Sequence, residues 1–331
     1  MNKIFFKKVL PILLTLCILT QCIFLCGCKK TLSRTFFAAD TVCTITVYNG
    51  EQTALDNAVN RVNLLAGKLD ANAENSEISL LNKNKEVENV SKELYEIISS
   101  GLEFSKTSNG VFDISVRPVT KLWNFKGNDL PDKKNISDAL KKVGYENITL
   151  NSGNIYIKNG GEIELGAIAK GYICDEVEKS LKNDGVSSAI INLGGNVTVL
   201  GTQNGKNFSV GIQKPFSQDI AATLKVSNIS VVTSGTYQRY IEKDNTIYHH
   251  LLNTKTGFPE QNELNSVTVI SKSSTVADAL STTCFLLGTK KGLNLINSTP
   301  GVFAVFIDKE RKLTLSNGLE YDKNGDIIIS E

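Results

Sequence analysis

The chain has few of the residues that build metal centres and redox sites from histidine and cysteine. Only two of its 331 residues are histidine, and its seven cysteines form no Cys-x-x-Cys pair. Cys43, Cys174 and Cys284 follow the first 30 residues, and they lie far apart in sequence. This pattern argues against a disulfide framework and against a zinc site. It predicts that these three cysteines are buried, uncharged thiols.

The chain also lacks an excess of charge of one sign. It has 36 Lys and Arg residues against 34 Asp and Glu residues, with a formal net charge of +2. A balanced surface gives no electrostatic reason to bind nucleic acid. No internal repeat and no low-complexity linker divides the chain into modules. The Gly-x-Gly-x-x-Gly fingerprint is absent, so a dinucleotide-binding Rossmann fold has no support.

One long apolar run is present, near the N terminus. A lysine-containing segment of eight residues precedes the apolar residues 9–25, and Leu25-Cys26-Gly27-Cys28 follows. This order is typical of a secretory signal, and Leu-x-Gly-Cys resembles the bacterial lipobox. The sequence predicts a lipoprotein signal peptide over residues 1–27, lipidation of Cys28 and a lipid-anchored tether over residues 28–36. A single transmembrane anchor is the alternative. Either would hold the protein at the outer face of the cytoplasmic membrane.

The remaining residues, 37–331, are numerous enough for one large domain or two intimate subdomains. Apolar residues at three- and four-residue steps, together with capping residues, predict helices. Period-two alternation and turn residues predict strands. Because helices and strands do not alternate strictly, we expect an α+β fold with a largely antiparallel sheet. The predicted helices cover residues 51–69, 91–110, 167–183 and 275–287, with a short one starting at 76–79. The predicted strands cover 41–48, 148–165, 189–200, 208–213, 222–226, 230–234, 247–252, 265–270 and 302–329.

Two polar residues of the last predicted helix point to a metal. Asp278 and Thr282 are four residues apart and therefore lie on one face. Carboxylate and hydroxyl oxygens beside an open backbone carbonyl are ligands that magnesium or calcium prefers. Alternatively, Asp278 only complements the helix dipole from the first turn.

A second segment, residues 164–172, suits a phosphate. Lys170 can contact it, Gly166 and Ala167 leave room for it, and the helix N terminus offers unpaired N–H groups. The Ala167 carbonyl can serve a metal. The alternative is a strand-to-helix corner with a surface lysine. Nearby, Gly194-Gly195 interrupts an apolar strand, which indicates either a close approach to a ligand or a β-bulge.

The two histidines, His249 and His250, are adjacent, so in a strand they face opposite sides and at most one enters a given pocket. The polar segments 234–240 and 253–257 favour His250 as a site residue. An acid among aromatics, over residues 110–113 and 122–125, is either a stacking wall for a ring or ordinary core.

Taken in order, these motifs resemble the ApbE family of FAD:protein FMN transferases. The motifs extend over essentially the whole mature chain: 39–41, 76–79, 110–113, 122–125, 164–175, 192–197, 233–240, 250–257 and 277–282. The resemblance implies a T-fold-like α+β architecture. It also implies Mg²⁺-dependent transfer of FMN from FAD to a threonine hydroxyl of a partner protein, with AMP released.

The resemblance also assigns residues and partners. The metal would be held by the Ala167 carbonyl, Asp278 and Thr282, with Ser281 a further candidate, and either Asp278 or His250 would be the general base. FAD would be contacted by Ala39, Asn72, Val111, Phe112, Asp113, Glu164, Lys170 and Leu252. The implied acceptors are membrane-bound subunits of ion-translocating electron-transport complexes (Rnf- or Nqr-like) or other exported flavinylated proteins.

The chain departs from the family pattern at three positions. Ala39 stands where methionine is common, Asn72 where an aromatic is usual, and Glu164 where aspartate is more usual. Without the ring, water can compete with the protein hydroxyl for FAD. Hydrolysis of FAD to FMN and AMP is therefore a rival activity, and a non-catalytic flavin-binding lipoprotein is a further alternative.

Overall fold

The fold was obtained as a computed structural model, which describes residues 31–127 and 129–330. The predicted signal peptide, residues 1–27, and Cys28 lie outside the described residues, so lipidation stays a prediction. Within the described ranges, no helix combines the length and the apolar character needed to cross a membrane.

The described residues form seven α-helices, one 3-10 turn and seventeen strands. The helices are α1 (Gln52–Leu69), α2 (Glu77–Asn84), α3 (Lys92–Thr107), α4 (Arg117–Thr120), α5 (Lys133–Leu140), α6 (Ala169–Asn183) and α7 (Ser274–Asn297), and the 3-10 turn covers Tyr145–Asn147. The strands are β1 (Leu32–Ala38), β2 (Thr41–Val47), β3 (Glu86–Val87), β4 (Ile148–Asn151), β5 (Asn154–Ile157), β6 (Ala189–Leu193), β7 (Asn196–Leu200), β8 (Phe208–Gln213), β9 (Ile220–Val226), β10 (Ile229–Gly235), β11 (Tyr240–Lys243), β12 (Thr246–His249), β13 (Leu264–Ser271), β14 (Val302–Asp308), β15 (Leu313–Leu315), β16 (Leu319–Tyr321) and β17 (Ile327–Ile329).

The central layer is an eight-stranded sheet in the order β1-β2-β6-β7-β10-β13-β14-β15. Every pairing within this sheet is antiparallel. A four-stranded sheet, β16-β17-β9-β8, has one parallel pairing, between β17 and β9. The expectation of an α+β fold with largely antiparallel sheets is confirmed.

Alternating side chains give the central sheet two buried faces. On β10, Val231 belongs to a core shared with the four-stranded sheet, whereas Val232 belongs to a core shared with α7. This follows from the period of two along a strand. The helices α1, α6 and α7 pack in succession on the second face. The cores on the two faces hold the ends of the strands in place, together with the loops that extend from them.

Close packing of α6 against α7 depends on Gly171. A Cβ atom built at Gly171 would lie 2.3 Å from the carbonyl oxygen of Ser274. Only glycine therefore allows the two helix starts to approach this closely.

Several boundaries differ from the sequence predictions. The boundary predicted at residue 37 lies inside β1, because Leu32–Ala38 pairs along its whole length with β2. Gly194 and Gly195 are neither a bulge nor an interruption of one strand. Both have positive φ, 60° and 97°, and they form the tight turn of the β6–β7 hairpin.

The last predicted helix also differs. It was expected to end at Gly288, but a kink at Gly288 (φ 75°) separates it from a second helical stretch that continues to Asn297. The prediction of buried thiols is confirmed, since Cys43, Cys174 and Cys284 are free and buried.

Candidate active site

Two turns and one further segment meet at the end of the central sheet where β1, β6 and β10 stop, and we call this end the site edge. They are Ala39–Asp40 between β1 and β2, Gly194–Gly195 between β6 and β7, and the segment after Gly235 at the end of β10. Ala39 and Asp40 have φ values of 49° and 56°, as a two-residue hairpin of this kind requires. The turns touch, because a Cβ atom at Gly194 would lie 2.2 Å from Thr41 Oγ1. The site edge therefore consists mainly of tight turns that contact one another.

Salt bridges connect the Ala39–Asp40 turn to Arg239 and Lys126. Asp40 pairs with Arg239 Nη2 at 3.1 Å and with Lys126 Nζ at 3.3 Å. Both cations are exposed, so each pair contributes little to stability. Their effect is to orient the loop around Arg239.

Asp278 is bonded to the first turn of α6. Its Oδ2 accepts a hydrogen bond of 2.9 Å from the Gly171 N–H, and only 3% of the residue is exposed. Gly171 lies four residues after Ala167, so this bond fastens the carboxylate to the turn that carries the Ala167 carbonyl and Lys170. The structure therefore brings together residues that the sequence places 107 positions apart.

A hydroxyl network lies one turn further along α7. Ser234 Oγ, at the end of β10, lies 2.7 Å from Ser281 Oγ and 3.1 Å from Thr282 Oγ1. Ser281 Oγ also donates to the Asp278 carbonyl at 2.9 Å, and Ser281 is completely buried. Because the Ser281 hydroxyl is already occupied, the arrangement favours Thr282 over Ser281 as a ligand. Ser234 was not singled out in the sequence analysis.

These groups fit a hard divalent cation. They are a carboxylate, a hydroxyl and a carbonyl, and oxygen ligands of these kinds are what magnesium takes. Asp278 Oδ1 makes no hydrogen bond to the described residues, so it is available. Among the described residues no group of three His, Cys, Asp or Glu side chains could hold a metal. A cation here depends on a single carboxylate.

The two histidines face opposite sides, as predicted. His249 is buried against Phe285, and its Nε2 lies 2.9 Å from the Glu260 carbonyl. His250 lies with its ring edge-on to Phe125, and its Nδ1 lies 3.2 Å from the Arg239 carbonyl. A carbonyl only accepts, so Nδ1 carries the proton and His250 Nε2 keeps its lone pair. His250 is therefore in the form of a base.

The charge state of His250 agrees with this tautomer. Burial, followed by the positive charge of Lys170, lowers the pKa of His250 to about 3. Burial raises the pKa of Cys43, a core residue on the helix side of the sheet, and the positive charge of Lys170 partly offsets that rise. Lys170 and His250 thus lie near each other, beside the site edge.

We expect stability to fall as the pH drops from about 6.5 towards 4. The folded state keeps His250 neutral down to about pH 3, whereas an unfolded histidine takes up a proton near pH 6.5. Between these values the unfolded state binds more protons and gains stability, at up to about 1.4 kcal/mol per pH unit for each group. Burial lowers the pKa of His249 to about 4 in the same direction.

Urea unfolding at pH 4–7 measures this effect. His250→Gln should show a shallower pH dependence than wild type, and an equal slope in the two proteins would refute the assignment of a neutral His250.

Arg117 connects two residues that were predicted to contact the cofactor. Its Nη1 donates to Glu164 Oε2 at 2.9 Å, and its Nη2 donates to Asn72 Oδ1 at 3.1 Å and to the Ala71 carbonyl at 2.6 Å. Glu164 and Asn72 are therefore held side by side. No sequence signal pointed to Arg117, which is the first residue of the short helix α4 and stands between Val116 and Pro118.

The side chains predicted to form a wall around the flavin are already engaged within the protein. The Asp113 carboxylate accepts from Ser115 and from the Tyr145 N–H, and burial raises its pKa. Phe112 packs edge-on against Phe104, and Leu252 lies in a core with Trp123. Phe112, Asp113 and Leu252 therefore determine the shape of a wall rather than offer free polar groups. Val111, in the same loop, is partly exposed.

Asp175 is a further residue that the sequence analysis did not single out. Its carboxylate accepts from the Ser274 and Thr275 N–H groups at 2.7 and 3.0 Å, and from the Ser273 and Thr275 hydroxyls. It caps α7 from the neighbouring helix α6. Asp175 thereby fixes the start of the helix that carries Asp278.

The chain is similar to known proteins. The model of the ApbE family matches residues 39–307. An FAD:protein FMN transferase of Klebsiella pneumoniae (strain 342) is 37% identical over 235 residues, covering 69% of this chain and 73% of the relative. The FAD:protein FMN transferase of Treponema pallidum (strain Nichols) is 31% identical over 315 residues, covering 87% of each chain.

Solved structures agree with the sequence comparisons. The ApbE protein of Thermotoga maritima superposes with a TM-score of 0.80 at 29% identity, covering 87% of this chain and 97% of that chain. The flavinyl transferase ApbE of Pseudomonas stutzeri superposes with a TM-score of 0.78 at 26% identity, covering 87% and 95%. The matched region contains the site edge, the first turn of α6 and Asp278, and we conclude that this chain belongs to the ApbE family.

Proposed function

We propose that this protein transfers FMN from FAD to a threonine hydroxyl of a partner protein and that it needs Mg²⁺ to do so. The single observation that carries the proposal is the bond from Asp278 to the first turn of α6. It fastens a carboxylate to the turn that carries Lys170, whose positive charge acts on the neutral His250 ring. The names of the relatives support the same class of reaction.

The reaction replaces the phosphoanhydride bond of FAD with a phosphoester bond to the acceptor. The acceptor oxygen attacks the phosphorus on the riboflavin side of FAD. A new P–O bond forms, the bond from that phosphorus to the bridging oxygen breaks, and AMP leaves with the bonding pair. The acceptor proton passes to a base. We assign this role to His250 Nε2, which has a free lone pair, whereas Asp278 is needed as a ligand.

The remaining residues bind and orient FAD. The Ala167 carbonyl, Asp278 and Thr282 would hold Mg²⁺, which neutralises charge on the phosphate oxygens. Lys170 supplies a second positive charge near the same linkage. The pKa of His250 is about 3 in the free protein, so its Nε2 is unprotonated at neutral pH and can accept the proton of the acceptor hydroxyl.

The proposal is tested with FAD, Mg²⁺ and an acceptor protein that carries a threonine acceptor sequence. The expected result is an acceptor whose mass increases by one FMN, with an equal amount of AMP. Free FMN and AMP without an adduct would overturn transfer in favour of hydrolysis. Intact FAD after long incubation would leave only flavin binding.

Hydrolysis of FAD to FMN and AMP is the second candidate activity, and Asn72 favours it. Asn72 is exposed and its Oδ1 is held by Arg117, so the position offers a polar amide rather than a ring. Water reaches a phosphorus more easily where no ring shields the flavin end.

Asn72→Tyr tests this candidate. We expect the ratio of FMN transferred to FMN released to increase about tenfold, because an aromatic ring covers the flavin and excludes water. Quantifying both products by mass spectrometry measures the ratio. Asn72→Ala removes the amide without adding a ring and serves as the control. An equal increase in both variants would show that loss of the Arg117 bond, rather than shielding, is responsible.

We propose further that the protein acts at the outer face of the cytoplasmic membrane, anchored by a lipid on Cys28. The N-terminal sequence supports this location. The acceptors would then be membrane-bound subunits of ion-translocating electron-transport complexes (Rnf- or Nqr-like) or other exported flavinylated proteins. Cys28→Ala should release the protein from membranes, as measured by fractionation.

A further inference from the structure

The face of the central sheet opposite to the helices contains a cavity of about 360 Å³ close to the site edge. Asn192, Gln213 and Gln238 supply amide groups to its lining, and Val197 and Val231 contribute apolar surface. No charged side chain is among the described residues that line it. The doubly negative linkage of FAD is therefore matched by Lys170 on the helix side, and not by this cavity.

Exposed apolar side chains border the cavity on one side. Phe37 and Val42 are cross-strand partners on β1 and β2, and they are 69% and 61% exposed. Val42 lies on the same face as Thr44, which pairs with Asn192 of the cavity lining. Val42 directly follows Thr41, which touches Gly194 in the same lining. The apolar pair therefore continues the cavity surface towards the Ala39–Asp40 turn.

Aromatic side chains border the cavity on the other side. Phe216, which is 46% exposed, lies 5.9 Å from the Tyr237 ring and 5.8 Å from the Tyr240 ring, as measured between centroids. Phe216 has a φ of 57°, a strained conformation for a bulky residue.

The aromatic cluster is continuous with the catalytic segment. Tyr240 pairs with His249 in the β11–β12 ladder. The Arg239 carbonyl, one residue earlier, accepts both the backbone N–H and the Nδ1–H of His250. Gln238 of the cavity lining directly precedes Arg239, so the cavity adjoins the loop that holds the base assigned to the acceptor hydroxyl.

We propose that this face, from Phe37 and Val42 through the cavity to Phe216, binds an extended segment of the polypeptide that accepts FMN. The inference rests on the proposed function and adds to it the surface that recognises the acceptor. One end of each amide is bonded within the protein, and the other ends, Asn192 Nδ2, Gln213 Oε1 and Gln238 Oε1, can pair with the main-chain groups of an extended peptide. The apolar borders bind its uncharged side chains. The acceptor approaches from one side of the sheet, FAD is bound on the other, and they meet over the site edge.

Variants at the two borders test the proposal. Phe37→Ser and Phe216→Asn remove exposed rings, and asparagine tolerates the positive φ at 216. Each should raise the KM for the acceptor protein about tenfold. The Kd for FAD and the rate of FAD hydrolysis without acceptor should stay within about twofold of wild type. Leu64→Ser and Tyr321→Ser, at exposed apolar positions on α1 and β16, are matched controls that should leave all three quantities unchanged.

The outcomes separate the two proposals. If wild type forms the FMN adduct but the border variants keep the wild-type KM, the docking surface is refuted while the function stands. If wild type forms no adduct, the proposed function fails, and the acceptor assigned to this face fails with it. If sedimentation shows that wild type is a dimer that the border variants convert to monomer, a second copy occupies the face and the proposal is overturned.

Discussion

Asp278→Asn is expected to lower the rate of FMN transfer by at least about 100-fold and to weaken Mg²⁺ binding in the presence of FAD. The site offers a cation one carboxylate and otherwise neutral oxygens, so removal of that charge removes most of the attraction. Asparagine keeps an oxygen that accepts the Gly171 N–H, so the packing of α6 against α7 should survive. Calorimetric titration of Mg²⁺ measures the loss of affinity, and adduct formation measures the loss of rate.

Asp138→Asn is the matched control for this change. Asp138 is an exposed carboxylate on α5 that pairs with Lys141, outside the site. The Asp138→Asn variant should transfer FMN at the wild-type rate. If Asp278→Asn retained more than half of the Mg²⁺-dependent transfer, the carboxylate would not be a metal ligand, and the catalytic assignment would have to move elsewhere.

Gly171→Ala is expected to lower the free energy of unfolding by roughly 2–4 kcal/mol and to abolish transfer. The added Cβ would lie 2.3 Å from the Ser274 carbonyl oxygen and 2.8 Å from Asp278 Cβ. The first of these is backbone, which cannot turn aside as a flexible side chain can. The helix starts must separate, and the bond from the Gly171 N–H to Asp278 lengthens as they do. Urea denaturation measures the first effect, and adduct formation measures the second.

Gly67→Ala makes the same substitution in α1, where no atom lies within 4 Å of the added Cβ. Alanine in a helix is more favourable than glycine, so this variant should be about 0.5–1 kcal/mol more stable than wild type. Equal stability changes in the two variants would show that helix propensity, and not the close approach of α6 and α7, explains the effect at Gly171.

The sequence predicted well what depends on local pattern. The helix predicted over residues 51–69 is α1, starting one residue later. The short helix expected to start at 76–79 begins after Ser76, and Ser91 is an N-cap as expected. The opposite orientations of His249 and His250 followed from strand geometry alone. The separation of Asp278 and Thr282 by four residues placed both on one face of α7, as helical periodicity requires.

What the sequence did not predict depends on contacts between distant segments. Arg117 reaches Glu164 and Asn72, which are 47 and 45 residues away. Asp175 caps a helix that starts 99 residues later. No periodicity marks such partners, because each position has an ordinary local context. The Gly194–Gly195 turn was misassigned for a related reason, since a bulge and a hairpin have similar local sequences and only the pairing partner distinguishes them.

The three buried thiols bear on where the protein can work. Burial raises the pKa of Cys284 to about 12 and that of Cys174 further still. Oxidants attack the thiolate form, so these sulfurs are chemically inert while the fold is intact. These three thiols suit the protein to the exported location that we propose, because they form no crosslinks in oxidising surroundings while the chain is folded. Its resistance to peroxide should be lost only when the chain unfolds.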